Sequence, residues 1–271
     1  MQGFMENDKG KYPIGIFDSG VGGLTVLKEI EKLMPKEDII YLGDTARVPY
    51  GSKSKETIIR FSTENILFLL KKKVKIVVIA CNTSSSLALD YLRPMFSIPI
   101  VGVIEAGVRK AIRFSKSLRI GVIGTRATIF SSSYQKALIK MDNRVVVYSK
   151  ACPLFVPLVE EGITKGRIAE MIVRMYLKEF KGKIDTLILG CTHYPLLKDV
   201  IAGYLKDVYL VDSAREIASY IYNLLEEKNL LNKDKRLPQK EFYVTDDPIG
   251  FEKLARIFLK RKIPNPKKIN V

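Results

Sequence analysis

The segment IVVIACNTS (76–84) ends an apolar run in a cysteine, and TLILGCTHY (186–194) repeats this arrangement further along the chain. Both runs place apolar, mostly branched residues at successive positions, which is typical of strands buried on both faces of a parallel sheet. Polar residues follow each cysteine and lead into a helical pattern. The two segments therefore predict two matching strand–loop–helix units, each with a thiol at the carboxyl end of its strand.

The repeat extends over most of the chain. Runs that predict strands begin at 14, 38, 76 and 99 and again at 119, 144, 185 and 208, so corresponding runs are offset by 105 to 109 residues. A second pair of similar segments is IGIFDSG (14–20) and IGVIGTR (120–126). Helical patterns alternate with the runs, which indicates an α/β fold. We interpret the chain as two tandem, pseudo-symmetric α/β domains with parallel sheets, and we expect the active site in the cleft between them.

The end of the chain departs from this alternation. After residue 212 come a helix, a charged stretch, one more strand, EFYVT (241–245), a final amphipathic helix and a basic tail. This segment is too small to fold alone, so we expect it to pack on the first unit. The predicted domains are residues 1–104 plus 213–271, and residues 105–212.

Two elements of the second domain are expected to be buried. RVVVY (144–148) reads as a fully buried strand, because its residues are apolar on both faces. A nearby helix is expected to bury the face that carries Ile168, Met171, Ile172 and Met175, which recur at helical spacing.

Composition restricts the class of protein. The chain has 271 residues, 47% of them apolar, which is ordinary for a globular protein. No apolar run approaches the roughly 18 residues that span a bilayer, and the first residues lack the apolar core of a secretory signal. Three cysteines are too few for a disulfide framework. We therefore expect a cytoplasmic protein without a membrane partner.

The chain is strongly basic, with a formal net charge of +16. Such an excess is typical of nucleic-acid-binding proteins. Here, however, the basic residues are scattered over predicted helix faces, and the longest cluster is Lys71, Lys72 and Lys73. A solvated surface or attraction of an anionic substrate accounts for the charge, so nucleic acid is not the expected partner.

Cys81 and Cys191 are the first candidates for chemistry. Each should lie near a helix N-terminus, where partial positive charge stabilises a thiolate and lowers the thiol pKa. Cysteine is also often a small buried hydrophobe, and we assign that role to Cys152, which has no counterpart in the other half. His193 is the only histidine, and its place two residues after Cys191 suits it to assist proton transfer. A zinc site of these two cysteines and His193 is an alternative, although no CxxC or HExxH spacing supports it.

The stretch DSGVGGL (18–24) follows a strand and opens a helix, so its backbone amides can hold an anion. Its glycine spacing does not match GxGxxG, and the chain has no GxxxxGK[ST], which favours a carboxylate over a pyrophosphate. Ser19, Asn82, Thr83 and Thr192 then add polar groups suited to a small amino or hydroxy acid.

Two thiols that face one cleft from related halves have a specific chemical meaning. Inversion at a carbon needs a base on one face and an acid on the other, and their roles exchange after the proton moves. The charge that develops on the carboxylate next to that carbon needs hydrogen-bond donors. The residues therefore point to a cofactor-free racemase or epimerase that acts beside a carboxylate.

The motifs resemble those of the glutamate racemase family, cofactor-independent enzymes of the aspartate/glutamate racemase superfamily that make D-glutamate for bacterial peptidoglycan. The resemblance spans nearly the whole chain. It rests on IGIFDSGVGGLTVL (14–27), YLGDTARVPYG (41–51), ACNTSSSLAL (80–89), GVIEAG (102–107), CPLFVPLVEEG (152–162) and GCTHYPLL (190–197).

The resemblance implies roles for individual residues. Cys81 and Cys191 match the two acid/base thiols, of which the first deprotonates D-glutamate and the second L-glutamate. Asp18, Glu160 and His193 match auxiliary groups that tune the thiols and shuttle protons, although Glu161 could take the place of Glu160. The implied substrate contacts are Asp18, Ser19, Tyr50, Gly51, Asn82, Thr83, Thr192 and His193. The resemblance further implies glutamate as substrate, no cofactor, no metal and a homodimer.

The sequence is compatible with three other functions. A related racemase could act on aspartate or another small acid, since the reaction logic is shared. A basic nucleic-acid-binding protein would show salt-sensitive binding to duplex DNA. A thiol redox or zinc protein would hold stoichiometric metal or form a disulfide between Cys81 and Cys191.

Overall fold

The computed structural model describes residues 9–271. Within this range, the strands form two sheets in which every pairing is parallel. The strands are β1 (Ile14–Asp18), β2 (Ile39–Gly43), β3 (Ile76–Ile79), β4 (Ile100–Gly102), β5 (Arg119–Gly124), β6 (Val146–Ala151), β7 (Thr186–Gly190), β8 (Tyr209–Val211), β9 (Lys240–Val244) and β10 (Lys267–Lys268).

Helices connect the strands and cover the sheets, as parallel pairing requires. The α-helices are α1 (Leu24–Leu33), α2 (Lys55–Lys71), α3 (Asn82–Leu87), α4 (Leu89–Leu92), α5 (Ile104–Phe114), α6 (Arg126–Phe130), α7 (Ser133–Met141), α8 (Phe155–Glu160), α9 (Arg167–Leu177), α10 (Lys198–Tyr204), α11 (Ser213–Glu227) and α12 (Pro248–Leu259).

The two sheets repeat one arrangement of strands. The first has the order β10-β9-β2-β1-β3-β4 and the second β6-β5-β7-β8, so β1 and β5 occupy equivalent interior places. In the first sheet Ile14 aligns with Ile39 and Ile76, and in the second Ile120 aligns with Val147 and Thr186. This confirms the α/β class with two parallel sheets.

The C-terminal segment returns to the first sheet. β9 pairs with β2 and thereby extends the sheet beyond the first four strands. The basic tail that the sequence suggested contains the short strand β10, which pairs with β9. The domain limits, 1–104 plus 213–271 and 105–212, stay a prediction.

One apolar core runs through both halves. It joins residues under the first sheet, such as Ile16 and Leu27, to residues of the second half, such as Phe155 and Leu189. Helix α11 packs against both α1 and α5, and so lies between the two halves. Among the described residues, no helix combines the length and apolarity needed to cross a membrane.

Two predictions of burial are wrong. The strand expected at 144–148 is β6 (Val146–Ala151), and its residues are partly exposed because β6 forms the edge of the second sheet. Helix α9 buries Ala169, Val173 and Leu177 instead of the predicted face, and Ile168, Met171 and Met175 are 56%, 62% and 49% exposed. Both stripes of α9 are apolar, so its periodicity could not distinguish them.

Candidate active site

The candidate residues lie at the carboxyl ends of interior strands, Asp18 and Cys81 in the first sheet and Cys191 in the second. Asp18 is the last residue of β1, Cys81 precedes α3, and Cys191 directly follows β7. In open parallel sheets ligands bind beyond these strand ends. Cys81 is 5% exposed and Cys191 is 6% exposed, so both cysteines are nearly buried. Cys152, in contrast, is fully buried, as expected for a core residue.

The surroundings of Cys81 favour a neutral thiol. Its Sγ lies 3.8 Å from the Ser19 hydroxyl. Burial above all, and then the carboxylate of Asp18, raise the pKa of Cys81 to about 12, while the backbone N–H of Ser84 acts in the opposite direction. The predicted lowering of this thiol pKa is therefore wrong. Helix α3 has only six residues, and the field at its N-terminus does not offset burial beside an acidic group.

Cys191 has a different environment, formed by an imidazole. Nδ1 of His193 lies 3.9 Å from the Cys191 Sγ, and Nε2 lies 3.0 Å from Oε1 of Glu160. Burial alone would lower the pKa of His193, but its hydrogen bonds to Cys191 and Glu160 outweigh burial and raise that pKa to about 10. A 3-10 helix (Tyr194–Leu197) follows Cys191 in place of the expected α-helix. The positive group next to this thiol is therefore the imidazole of His193 and not the N-terminus of an α-helix.

Glu160 and Glu161 differ clearly in position. Glu160 ends α8 and reaches His193, whereas Glu161 is exposed at the end of that helix. The ring of Phe258, on α12, packs edge-on against the imidazole, with 5.6 Å between ring centroids. The C-terminal segment therefore takes part in enclosing His193.

Asp18 lies near Cys81 and contacts the loop that carries Cys191. Its carboxylate is completely buried, accepts a hydrogen bond from the Gly20 N–H at 3.0 Å, and lies 3.5 Å from the Thr192 hydroxyl. Burial raises the pKa of Asp18, and the neighbouring His193 partly opposes this rise. Asp18 belongs to the first half, while Thr192 and His193 belong to the second, so the two halves meet at this carboxylate.

Three other predicted substrate contacts, Asn82, Thr83 and Gly51, lie where the two halves meet. The side chain of Asn82 accepts a hydrogen bond from the Tyr134 hydroxyl at 2.6 Å, and the Thr83 hydroxyl lies 3.0 Å from that of Thr125. Both pairs cross between the halves. Gly51 approaches Thr125 so closely that a Cβ at Gly51 would lie 2.6 Å from the Thr125 Cβ.

Tyr50 is the exception among these residues. Its side chain is buried in the first half, where its hydroxyl donates to Asp44 and accepts from the Asn65 amide at 3.1 Å. Any contact of Tyr50 with a ligand in the cleft therefore falls to its backbone.

Two residues at the site were missed from the sequence. The similarity between IGIFDSG and IGVIGTR aligns Thr125 with Ser19 in sequence, and this alignment could have identified Thr125. Tyr134 lies inside α7 and carries no comparable signal, since only the tertiary structure brings it next to Asn82.

The residues of this cleft do not form a metal centre. Across residues 9–271, no three His, Cys, Asp or Glu side chains are arranged so that they could hold a metal ion. The acidic and sulfur groups here instead contact one another through hydroxyl and imidazole groups.

Gly22 allows the first loop to contact the second half. A Cβ at this position would lie 2.2 Å from the Thr192 Oγ1 and 2.6 Å from the His193 Nδ1. Gly22→Ala is therefore expected to displace both side chains and to lower kcat/KM for the reaction at this site about tenfold, because small misplacements of reacting groups are costly. Steady-state kinetics measure the effect.

Gly203→Ala is the matched control for this variant. Gly203 lies in α10 with open space around its Cβ position. This change should leave kcat/KM unaltered and stabilise the fold by about 0.5 kcal/mol. Unaltered kinetics of Gly22→Ala at an unaltered melting temperature would contradict the importance of this close approach.

Comparison with known proteins places this site in a family. Residues 14–221 match the family model described as Asp/Glu/Hydantoin racemase. The chain belongs to this racemase family. The glutamate racemase of Aquifex aeolicus is 52% identical over 250 residues, which are 92% of this chain and 95% of that protein.

Solved structures agree with this membership. The glutamate racemase of Francisella tularensis, solved in complex with D-glutamate, has a TM-score of 0.91 and 42% identity, over 96% of this chain and 98% of that one. The enzyme of Thermus thermophilus, in complex with β-chloro-D-alanine, has a TM-score of 0.89 and 44% identity, over 97% and 98%. An aspartate racemase of Picrophilus torridus is 17% identical with a TM-score of 0.59, and shares the fold. The resemblance drawn from the motifs is thus confirmed.

Proposed function

We propose that this racemase interconverts L-glutamate and D-glutamate without a cofactor, with Cys81 and Cys191 as the two acid/base groups. The observation that carries the proposal is the pair of nearly buried thiols at matching strand ends, together with the contact between Asp18 of the first half and Thr192, the residue after Cys191. The glutamate racemases among its relatives support glutamate as the substrate.

The two thiols have different charged neighbours, Asp18 beside Cys81 and His193 beside Cys191. Because the pKa of Cys81 is raised to about 12, this thiol keeps its proton near neutral pH and is ready to act as an acid. His193, with a pKa raised to about 10, is an imidazolium under the same conditions and lies next to Cys191. An acid on one side of the substrate and a base on the other is what inversion requires.

The conversion of L-glutamate to D-glutamate uses Cys191 as the base and Cys81 as the acid. The Cys191 thiolate takes the α-proton, and the electron pair of the broken C–H bond is delocalised into the adjacent carboxylate. The Cys81 thiol then donates its proton to the opposite face of the carbon. The product leaves with Cys81 as thiolate and Cys191 as thiol, which is the state that racemises D-glutamate.

Hydrogen-bond donors around the cleft hold the substrate carboxylates. Ser19, Asn82, Thr83 and Thr192 supply hydroxyl and amide groups, and Gly51 lets the backbone come close. The same donors stabilise the negative charge that grows on the carboxylate as the proton leaves. Asp18, which is buried with a raised pKa, is placed to exchange protons near Cys81 between turnovers.

Circular dichroism tests the proposal directly. Incubation with L-glutamate or D-glutamate, without added cofactor, should bring the signal to zero from either side, because enantiomers have equal free energies. In D2O, deuterium should appear at the α-carbon during the reaction. Alkylation of the thiols should stop both the decay of the circular dichroism signal and the incorporation of deuterium. Faster loss of signal with D-aspartate than with D-glutamate would contradict glutamate as the substrate.

The cellular role follows from this reaction. We infer that the enzyme supplies D-glutamate for peptidoglycan, and so serves cell wall biogenesis and cell shape, and that it works in the cytoplasm as a homodimer. Growth of a bacterial strain that requires D-glutamate, when it expresses this chain, tests the role. Mass measurement in solution tests the dimer.

A further inference from the structure

Tyr134 lies against both thiol loops, the segments around Cys81 and around Cys191. Its hydroxyl donates to Oδ1 of Asn82, the residue after Cys81, at 2.6 Å. Its ring lies against Gly190, the residue before Cys191, so that a Cβ at Gly190 would be 3.1 Å from the Tyr134 Cε2. The side chain is 2% exposed. It comes from the second half and reaches into the first.

The hydrogen bond determines which end of the Asn82 amide faces the cleft. An amide side chain has an acceptor oxygen and a donor nitrogen at opposite ends. When Tyr134 holds the oxygen, the nitrogen and its two hydrogens point away from Tyr134. Within residues 9–271, no protein acceptor contacts that nitrogen, and it is not among the buried polar atoms without a partner.

A substrate carboxylate accepts hydrogen bonds and cannot donate them. Only the nitrogen end of Asn82 can therefore bind it, and the oxygen end would repel it. Without the Tyr134 hydroxyl, the oxygen would lie in a buried place without a donor, which is unfavourable. Burial above all raises the pKa of Tyr134, so the hydroxyl keeps its proton and remains a donor over the whole working range.

We propose that Tyr134 is a positioning residue that orients the amide of Asn82 toward a substrate carboxylate and ties the two thiol loops together. The proposal rests on the proposed function, because it takes a carboxylate in this cleft as given. It also means that the amide is oriented only when the two halves are in contact, since the tyrosine and the asparagine lie on different halves.

Tyr134→Phe tests this role, because it removes the hydroxyl and keeps the ring. In circular dichroism assays, KM for both L-glutamate and D-glutamate should rise about tenfold. This is the effect expected when the misoriented Asn82 amide no longer donates a hydrogen bond to the charged substrate carboxylate. The value of kcat should fall less than threefold. Since the equilibrium constant is one, kcat/KM must fall by the same factor in both directions.

A double-mutant cycle separates positioning from a structural effect. In an Asn82→Ala background, Tyr134→Phe should produce no further change in KM, because no amide is left to orient. Tyr243→Phe is the control: this tyrosine is also buried and bonded through its hydroxyl, but lies on β9, where it contacts Glu241 and Lys72. It should leave KM unchanged.

The possible failures are distinguishable. If the parent enzyme racemises glutamate and Tyr134→Phe keeps KM within twofold, the positioning role is wrong while the proposed function stands. Additive effects of Tyr134→Phe and Asn82→Ala would also overturn it. A parent enzyme that does not racemise glutamate would instead overturn the proposed function.

Discussion

Cys81→Ser and Cys191→Ser are each expected to reduce glutamate racemisation by about 1,000-fold or more, with the fold retained. A hydroxyl is a much weaker acid than a thiol and does not form the required base near neutral pH. Serine is close to cysteine in shape, so the melting temperature should change little. Circular dichroism in the far ultraviolet and a thermal scan verify the fold, and polarimetry measures the loss.

Deuterium exchange makes this prediction specific to each thiol. Cys81→Ser retains the base on the Cys191 side, so in D2O it should exchange the α-proton of L-glutamate without inverting the carbon. Cys191→Ser should show the mirror result with D-glutamate. If either variant exchanged both enantiomers equally, the assignment of one thiol to each face would be wrong.

Cys152→Ala is the matched control for these variants. Cys152 is buried in the core, and its Sγ contacts a backbone carbonyl, that of Lys150, at 3.8 Å. Its loss should lower stability by about 1 kcal/mol, as expected when a small apolar group leaves a core, and racemisation should stay within a few-fold of the parent. A loss comparable to that of Cys191→Ser would contradict the restriction of catalysis to two thiols.

Glu160→Gln is expected to lower kcat/KM mainly at alkaline pH, with a smaller loss near neutral pH, and so to change its pH dependence. The carboxylate of Glu160 is 3.0 Å from His193 and helps to raise the pKa of His193 to about 10. The working form of His193 is the protonated one, so kcat/KM should fall as the pH rises through about 10. Without the carboxylate this pKa is lower, and the falling limb should move to lower pH by about one unit.

The pH profile of kcat/KM measures this effect, because it reports groups of the free enzyme. Glu161→Gln is the control, since Glu161 is exposed next to Glu160 and does not contact His193 in the structure. Its profile should overlie that of the parent. A displaced limb in Glu161→Gln, with Glu160→Gln unaffected, would reverse the assignment of the auxiliary acid.

Local sequence patterns were sufficient to predict the fold class. Apolar runs such as 76–79 and 186–190 are buried on both faces, and the matching offsets of the runs correctly indicated two sheets of one design. The prediction failed where burial depends on neighbours outside the segment. Strand β6 lies at a sheet edge, and α9 has two apolar stripes, of which the one with Ala169 and Val173 faces inward.

The sequence by itself determined where the reactive groups lie along the chain. Both thiols, the glycine-rich loop and His193 stand at strand ends, and an apolar run followed by polar residues identifies such ends from neighbouring residues alone. The sequence also determined the resemblance to the racemase family, because its motifs are contiguous.

Only the tertiary structure decided the electrostatic character of the site. The pKa of Cys81 is raised by burial and then by Asp18, and the pKa of His193 is raised by Cys191 and by Glu160 from a distant helix. Tyr134 reaches Asn82 across 52 positions of sequence. Desolvation and charge act through space, so the state of each thiol depends on groups that no local pattern relates to it.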